Sequence, residues 1–238
     1  MTDDETAPRE TPGAQPAPEP AGAVFTPLVN RRYLRELARY RMLLSGGEQV
    51  PGERAAVLVR WWETLDEVVA AHHRAMVEVV WALLRERDPE AGTVVATMNT
   101  RYELLGAARA EAGAALTGFL LGGAPPSSAR LAFIRYHEEM SATAFWEERE
   151  IISRARRLFT AADWQRVESY VLAVQAAGDR LEQVLPWLCE GLSSDQAARV
   201  LEALPPFLRE TYLVVWLPAH RQFTSRAWPR RPAPGSPA

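Results

Sequence analysis

Residues 53–87 read ERAAVLVRWWETLDEVVAAHHRAMVEVVWALLRER and determine the fold class, because they contain neither Gly nor Pro and repeat apolar residues at helical spacing. At 1.5 Å per residue, a helix of this length extends about 50 Å, much further than an average helix of a globular protein. Such a helix needs partners of similar length to cover its apolar face. The stretch therefore predicts a bundle of long helices.

Other segments of the chain have the same helical spacing, and none shows the strict alternation of a strand. Links that contain Gly and Pro separate them, at GGEQVPGE (46–53), RDPEAG (87–92) and GGAPPSS (122–128). Four long helices with short links can bury a common apolar stripe as an up-down bundle. We therefore predict an all-α fold whose main domain is a four-helix bundle at 24–159. Its other three helices are predicted at Pro27–Leu44, Thr93–Leu121 and Ser128–Leu158.

The regions on either side of the predicted bundle differ from it in composition. Residues 1–23 are rich in Pro and charge, without apolar periodicity, and we expect them to be disordered. After the bundle, FTAAD starts a fifth helix with Thr160 as its N-cap, and 160–222 reads as a helical extension packed on the bundle. The stretch 223–238 is predicted to be a flexible tail.

Composition excludes several classes of function. A net charge of -3 gives no electrostatic reason to expect a nucleic-acid partner. The single cysteine, Cys189, cannot form an intramolecular disulfide, which fits a reducing compartment. No apolar run approaches the roughly 20 residues that span a bilayer, and no apolar leader is visible. We therefore expect a cytoplasmic protein without a membrane span.

Several stretches, in the same order along the chain, resemble one known family. They are NRRYLREL (30–37), HHRAMVEVVWALL (72–84), MNTRYELL (98–105) and IRYHEE (134–139), followed by FTAADWQ, LPWL and VLEALPPFLRETYLVVWLP. Together they are similar to the actinobacterial hemerythrin-like domain with its C-terminal helical extension. The resemblance covers roughly 24–220, and its specificity comes from the ordered set of matches.

The resemblance implies a particular site in the centre of the bundle. Hemerythrin-like bundles hold a non-haem di-iron centre with a His from helix 1, H-x-x-x-E from helix 2, a His from helix 3 and H-x-x-x-E from helix 4. Only His72 and Glu138 keep a metal-binding type here, so we expect no di-iron centre and no cofactor. A shifted alignment could restore a ligand, for instance His73, His137 or Glu78. The corresponding positions are Asn30, His72, Met76, Tyr102, Ile134 and Glu138.

The same positions suggest a function for the former iron pocket. His72 and Glu138 could form an acid–base pair, with hydrogen bonds from Tyr102 and Asn30 to a bound molecule. Apolar residues at two lost ligand positions would suit an organic ligand. The favoured interpretation is a metal-independent protein that binds a small organic molecule, as a cofactor-free enzyme of isomerase, cyclase or lyase type. A purely structural His–carboxylate pair stays open. The two apolar positions are Met76 and Ile134.

Two further features bear on binding. Trp61 and Trp62 are adjacent on one helix and cannot both face the same core, so one of them is expected to line a ligand or partner surface. Glu147, Glu148 and Glu150 are interpreted as a solvated face. Two other functions stay open, a residual iron protein that binds or senses O2 or NO and a non-catalytic interaction scaffold. A homodimer is also left open.

Overall fold

The structure is a computed structural model, and it describes residues 21–46, 49–177, 180–202 and 204–229. Within these ranges the chain forms eight helices and no strand, which confirms the all-α prediction. No helix in this part of the chain is both long and apolar enough to cross a membrane. The predicted N-terminal tail lies outside the described residues, except that the first helix already begins at Ala21.

The first four helices are long, and two of them contain a π-helical stretch. Helix α1 covers Ala21–Ser45 and α3 covers Ala91–Leu120. Helix α2 consists of Gly52–Ala75, the π-helical Met76–Val80 and Trp81–Arg87. Helix α4 consists of Pro126–Trp146, the π-helical Glu147–Ile152 and Ser153–Leu158.

The remaining four helices are shorter, as expected for the extension. They are α5 at Ala161–Ala177, α6 at Leu181–Cys189, α7 at Ser194–Glu202, and α8, which consists of Pro206–Thr211, the π-helical Tyr212–Trp216 and Leu217–Ala227.

The long helices pack side by side, and α5 joins them. Helix α3 packs along α4, α4 also packs against α1, and α2 packs against α3. Helix α5 contacts both α1 and α2, which touch each other less extensively than α3 and α4 do. The apolar interior is therefore shared by at least five helices, because α5 packs against two of the four long ones.

Side chains at two helix starts form capping boxes. The Thr160 hydroxyl accepts a hydrogen bond from the backbone N–H of Asp163 (3.2 Å), and the Asp163 carboxylate accepts one from the backbone N–H of Thr160 (2.9 Å). Ser193 and Gln196 exchange the same pair of bonds before α7. The predicted N-cap at Thr160 is confirmed, because these bonds satisfy free N–H groups of the first helical turn.

The interior divides into two apolar halves along the bundle axis. The larger half contains an aromatic group around Trp62 and Phe133 and is also covered by α6, α7 and α8. The smaller half lies at the other end of the long helices, around Trp81 and Trp164. Between the halves, each of the four long helices contributes a buried polar or partly buried aromatic side chain, and these form the site described below.

The last helix is longer than the sequence suggested. It continues to Ala227, so the predicted tail boundary at 223 falls inside α8. Two contacts hold this end in place. Arg54 Nε donates a hydrogen bond to the carbonyl oxygen of Ala227 (3.1 Å), and the Trp228 ring lies edge-on to Tyr40 with centroids 5.1 Å apart.

Candidate functional site

A single buried carboxylate organises the polar layer between the two apolar halves. Glu147 on α4 is 1% exposed, and its Oε1 accepts a hydrogen bond from Asn30 Nδ2 on α1 at 2.8 Å. Its Oε2 accepts a hydrogen bond from the Tyr102 hydroxyl on α3. Two helices thus place hydrogen-bond donors around the carboxylate of a third, which reduces the cost of removing that charge from water.

The fourth member of this group is His72 on α2, which is also buried. Its Nε2 lies 3.3 Å from Glu147 Oε1, close enough for an ion pair if the imidazole is protonated. The approach does not have hydrogen-bond geometry, and Nε2 makes no hydrogen bond within the described part of the chain. We call Asn30, His72, Tyr102 and Glu147 the central cluster.

The helices that carry the central cluster are irregular beside it. The π-helical stretch of α2 begins at Met76, one turn after His72, and the π-helical stretch of α4 begins at Glu147 itself. A π-helical stretch widens the helix by one residue per turn, changes the direction of the side chains that follow, and occurs frequently at functional sites. The irregularities coincide with the point where polar groups interrupt the apolar interior.

His73 also reaches this region, through its contact with Tyr102. Its ring stacks on that of Tyr102, with centroids 3.9 Å apart and an angle of 22° between the planes. Burial lowers the pKa of His73 well below its ordinary value, and nearby His72 and Arg109 lower it further. Burial raises the pKa of Tyr102 well above its ordinary value, and the charge and hydrogen bond of Glu147 add to this. Tyr102 therefore remains a hydrogen-bond donor, and neutral His73 is favoured.

The structure corrects the predicted carboxylate. Glu138 is exposed and takes no part in the central cluster, whereas Glu147, predicted to lie on a solvated face, is buried in it. The two residues are nine positions apart, and at about 100° per residue they lie on opposite faces of α4. The carboxylate that the structure places in the cluster therefore lies nine residues after the one that the resemblance assigned.

Of the other predicted positions, some lie at the central cluster and others lie away from it. The structure brings Asn30, His72 and Tyr102 together, and Met76 is buried at the edge of the smaller apolar half. Ile134 is only partly buried and lies one turn before Glu138, on the face of α4 turned away from the cluster. The residue one turn before Glu147 is the buried Thr143.

The residues considered for a shifted alignment do not complete a metal site either. Glu78 is exposed and accepts a hydrogen bond from the Tyr170 hydroxyl, and His137 lies 3.1 Å from Arg41 Nη1. In the part of the chain that the structure describes, no three His, Cys, Asp or Glu side chains come close enough to hold one metal ion. One imidazole and one carboxylate do not fit the ligand set of two irons.

An open cavity of about 500 Å³ lies elsewhere, between α2, α6 and α8. Trp61 forms part of its wall, at 4% exposure, with its ring centroid 5.0 Å from that of Phe223 and 6.2 Å from that of His220. Trp216 also lines it. We call this the Trp61 cavity. No member of the central cluster is among the residues that line it.

The adjacent tryptophans are both buried, and as expected for neighbouring helical residues they face different sides of α2. Trp62 is 5% exposed and points into the bundle, with its ring centroid 5.1 Å from that of Phe133. Trp61 points the other way and is covered by α6 and α8, its ring 6.4 Å from that of Trp187. The extension thus creates a second buried side for α2, and the prediction that one of the pair lines a ligand surface stays a proposal.

A charge network lies behind the Trp61 cavity. The fully buried Glu36 accepts hydrogen bonds from Trp61 Nε1 (3.1 Å) and from Arg39 Nη1 (2.8 Å). Arg39 Nη2 and Arg35 Nη2 also donate to Glu190, at 3.0 and 2.7 Å. We call these two arginines and two glutamates the Arg–Glu network. It fixes the Trp61 indole and attaches the end of α6 to α1.

Glu190 links this network to His220 of the cavity. Burial alone raises the pKa of Glu190, but His220, Arg39 and Arg35 outweigh it and lower that pKa to about 2. Because His220 Nε2 is 3.9 Å from the carboxylate, beyond hydrogen-bond distance, we attribute the lowering chiefly to the two guanidinium groups. Glu190 is therefore ionised at neutral pH, beside a buried imidazole that lines the cavity.

A second, more open cavity of about 540 Å³ lies between α2 and α3. Trp62 and Gly113 line it, together with Asp66 and Arg109, which form an ion pair at 2.9 Å. Gly113 permits the close approach of the two helices, because a Cβ at this position would lie 2.7 Å from Trp62 Nε1. Asp66 and Arg109 are thus paired with each other, whereas Glu67, which also lines this cavity, pairs with Arg180.

The central cluster was partly predicted from sequence, whereas the Arg–Glu network and most of the Trp61 cavity were missed. Only Trp61 gave a signal, as a large aromatic residue on the second face of a long amphipathic helix. Comparison with known proteins adds no assignment, since no family model, no curated protein and no solved structure matches this chain.

Proposed function

We propose that this protein binds a small organic molecule without the help of a metal, and that the Trp61 cavity is the binding site. The observation that carries the proposal is a cavity of about 500 Å³ with aromatic walls and charged groups around it. Binding sites for small molecules are concave, largely apolar, and provided with a few polar groups that orient the ligand.

The surroundings of the cavity support this proposal. Trp61 is held in place by its hydrogen bond to Glu36, so its ring offers a rigid surface on which an apolar or planar group can pack. His220 is buried beside it and lies on the same wall. A preorganised wall reduces the entropy that a ligand loses on binding.

The test uses the full chain and a neutral aromatic probe, N-phenyl-1-naphthylamine, whose fluorescence rises on leaving water. We expect one-to-one binding that Ala219→Trp weakens at least about tenfold, because Ala219 lines the cavity and an indole there would occupy it. The matched control is Ala198→Trp, an exposed alanine on α7 outside the cavity. Equal binding by both variants, or no binding by the unaltered protein, contradicts the proposal.

Cofactor-free acid–base catalysis at the central cluster is a second candidate function. It is favoured by one observation, the buried His72 Nε2 without a hydrogen-bond partner beside the Glu147 carboxylate. Five other buried side-chain nitrogens of the described residues also lack a hydrogen-bond partner, so what singles out His72 Nε2 is its position beside a buried carboxylate. Such a pair could move a proton of a molecule that reaches it when the helices separate.

The catalytic candidate can be tested without knowing the substrate. Mass spectrometry would follow which components of a pooled small-molecule extract the protein consumes. Glu147→Gln and Tyr102→Phe should reduce that rate by roughly 10²–10⁴-fold while the fold is retained. Glu138→Gln, on the opposite face of α4, is the control. If the variants change only the melting temperature, the central cluster is structural.

We also propose that α1–α4 form an up-down four-helix unit related to hemerythrin-like domains. The convergence of Asn30, His72 and Tyr102 supports this, because the resemblance assigned all three to ligand positions. Restoring the lost ligands tests it. The combined variant Asn30→His, Met76→Glu, Tyr102→His and Thr143→His should bind iron. The same variant with Ile134→His in place of Thr143→His should not.

A further inference from the structure

We infer that His220 selects the ligand of the Trp61 cavity, and that the ligand is a neutral aromatic molecule with an N–H or O–H group, such as a phenol, an indole or an azole. This inference rests on the proposed binding function and adds the chemical class of the ligand. It is carried by the different surroundings of the two ring nitrogens of His220. One faces a carboxylate, and the other makes no hydrogen bond within the described chain.

The first nitrogen, Nε2, faces the Arg–Glu network. It lies 3.9 Å from Glu190 Oε2 and 3.4 Å from Thr224 Oγ1. The Glu190 carboxylate is fixed independently of His220, since Arg39 and Arg35 donate to its two oxygens at 3.0 and 2.7 Å. A negative charge therefore stays beside Nε2 in either tautomer of the imidazole.

This negative charge determines which nitrogen of the neutral ring carries the hydrogen. A lone pair on Nε2 would lie beside the Glu190 carboxylate and be repelled by it, whereas an N–H at the same place is attracted. The Thr224 hydroxyl can accept a hydrogen bond from that N–H. The neutral ring is therefore protonated at Nε2, which leaves a lone pair on Nδ1.

The second nitrogen, Nδ1, is available to a ligand. His220 is 8% exposed and lines the Trp61 cavity. Its Nδ1 forms no hydrogen bond with a described residue, yet the protein does not fully enclose this atom, in contrast to the unpaired Nε2 of His72. A nearly buried acceptor of this kind favours molecules that can donate to it and disfavours those that leave it unpaired.

Aromatic rings surround this acceptor. The ring centroid of His220 lies 6.2 Å from that of Trp61 and 6.3 Å from that of Phe223. Trp216 lines the same cavity. A flat aromatic ligand can pack on these rings and direct an N–H or O–H at its edge towards Nδ1. The walls and the acceptor together define an aromatic hydrogen-bond donor.

The charged residues of the cavity give no preference for one sign of charge. Arg60 and Glu63 both line it and are three residues apart on α2, so their side chains are neighbours on the helix surface. Glu67 is paired with Arg180 at 2.8 Å. Opposite charges thus lie close together, and a neutral ligand loses less hydration than an ion does on entering the cavity.

Three probes of similar size separate the hydrogen bond from apolar packing, namely naphthalen-2-ol, 2-methoxynaphthalene and naphthalene. Only naphthalen-2-ol has a donor. The experiment is equilibrium dialysis against the full chain at about pH 8, where an imidazole of ordinary pKa is neutral. Naphthalen-2-ol should bind about tenfold more tightly than the other two probes, a difference typical of one hydrogen bond.

Substitution of His220 tests its role. His220→Phe keeps a flat ring without an acceptor, so it should lower the affinity for naphthalen-2-ol to that of 2-methoxynaphthalene and leave the affinity for naphthalene unchanged. His220→Asn should keep part of the preference, because its amide oxygen can take the place of Nδ1. The matched control is His137→Phe on α4, outside the cavity, which should change no affinity.

A second measurement needs no ligand. The chain has four histidines, so nitrogen-15 NMR of the labelled protein gives few imidazole signals, and the signals lost in His220→Phe are those of His220. At about pH 8 we expect a hydrogen on Nε2 and none on Nδ1. Glu190→Gln should raise the share of the other tautomer and reduce the preference for naphthalen-2-ol. A purely structural Glu190 would leave the tautomer unchanged.

The outcomes distinguish the two proposals. If the three naphthalene probes bind with equal affinity and Ala219→Trp prevents it, the cavity is a binding site but the role of His220 is overturned. That role is also overturned if only N-phenyl-1-naphthylamine binds, if Nδ1 carries the hydrogen, or if His220→Phe keeps the preference for naphthalen-2-ol. If none of these four probes binds to the unaltered protein, both proposals fail.

Discussion

The central cluster and the Trp61 cavity use polar groups in opposite ways. In the cluster, Glu147 accepts hydrogen bonds from Asn30 and Tyr102, and the apolar halves of the core enclose the group. Around the cavity, charged side chains such as Arg60 and Glu63 stay unpaired within the described chain. Paired buried groups hold helices in register, whereas unpaired groups at an open cavity are available to a ligand.

The difference predicts where substitutions affect stability and where they affect binding. The cluster connects all four long helices, so the loss of its carboxylate leaves several buried donors without an acceptor. The cavity is lined by α2, α6 and α8, and most of its charged groups are exposed. Substitutions in the cluster should therefore change the free energy of unfolding, and those around the cavity should change ligand affinity.

The largest expected effect is that of Glu147→Ala. Removal of the carboxylate leaves the Tyr102 hydroxyl and the Asn30 amide buried without their acceptor, so the free energy of unfolding should fall by about 3 kcal/mol. Glu138→Ala on the exposed face of α4 should change it by less than about 0.5 kcal/mol. Urea unfolding measures both. Equal effects would mean that Glu147 is not the organising carboxylate.

The next largest effect on stability is expected at one of two glycines of α3, Gly113 and Gly106. Gly113→Ala would place a methyl group 2.7 Å from Trp62 Nε1, and the neighbouring rings of Tyr40 and Phe133 hinder the indole from moving away. Overpacking should outweigh the gain in helix propensity, with a net loss of about 1–2 kcal/mol. Gly106→Ala meets no atom within 4 Å and should stabilise the protein by about 0.5–1 kcal/mol. Thermal unfolding of both variants checks the opposite signs.

Much of the helical architecture could be predicted from sequence, because it depends on local signals. The stretch without Gly or Pro predicted α2, and the links that contain Gly and Pro predicted where the long helices end. Three members of the central cluster were also identified, from motifs that resemble those of a known family. Those motifs lie near the buried stripe of each helix, where the choice of residue is restricted by packing.

The fourth member was missed because the resemblance assigned the carboxylate of α4 to Glu138, which lies on the opposite face of the helix. A signal was nevertheless present, since Glu147 continues the buried stripe of this helix, one turn after Thr143 and one turn before Ile151. A carboxylate within an apolar stripe points inward regardless of the charges that follow it. Glu148 and Glu150, beside it in the sequence, misleadingly suggested a solvated face. The stripe consists of Phe133, Tyr136, Met140, Thr143, Glu147 and Ile151.

The Trp61 cavity could not be predicted because it depends on tertiary packing. It exists where α6 and α8 lie across the second face of α2, and nothing local specifies that arrangement. Glu36 illustrates the problem, since a glutamate between two arginines reads as an exposed charge, yet it is fully buried. Its partners, Trp61 and Arg39, are recognisable only once the helices are assembled.

A smaller effect concerns the pH dependence of stability. The folded state lowers the pKa of His73 from 6.5, so as the pH falls the unfolded chain takes up this proton first. Stability should therefore be complete above pH 6.5 and decline as the pH falls towards the lowered value, by at most about 1.4 kcal/mol per pH unit. His73→Phe keeps a ring to stack on Tyr102 and removes the titration. Its stability should depend less on pH between 6.5 and 5, and an unchanged slope contradicts this.

Apart from the control variants, the smallest expected loss of stability is that of Trp61→Phe. The variant loses one hydrogen bond to Glu36, which keeps its bonds from Arg39 and Arg35, so the free energy of unfolding should fall by only about 1 kcal/mol. The affinity for N-phenyl-1-naphthylamine should fall as well, because a smaller ring lines the cavity and nothing fixes its orientation. Urea unfolding and a fluorescence titration on the same sample measure both quantities.

Comparing Trp61→Phe with Glu147→Ala tests whether the central cluster and the Trp61 cavity have different roles, one in stability and the other in binding. A loss of about 3 kcal/mol in Trp61→Phe would mean that the cavity wall carries as much stability as the central cluster, and the division between a stabilising cluster and a binding cavity would be wrong. A small loss of stability together with a clear loss of affinity supports it. The partly buried Arg–Glu network makes the second result the expected one, since Arg35 and Arg39 keep Glu36 paired after the indole is removed.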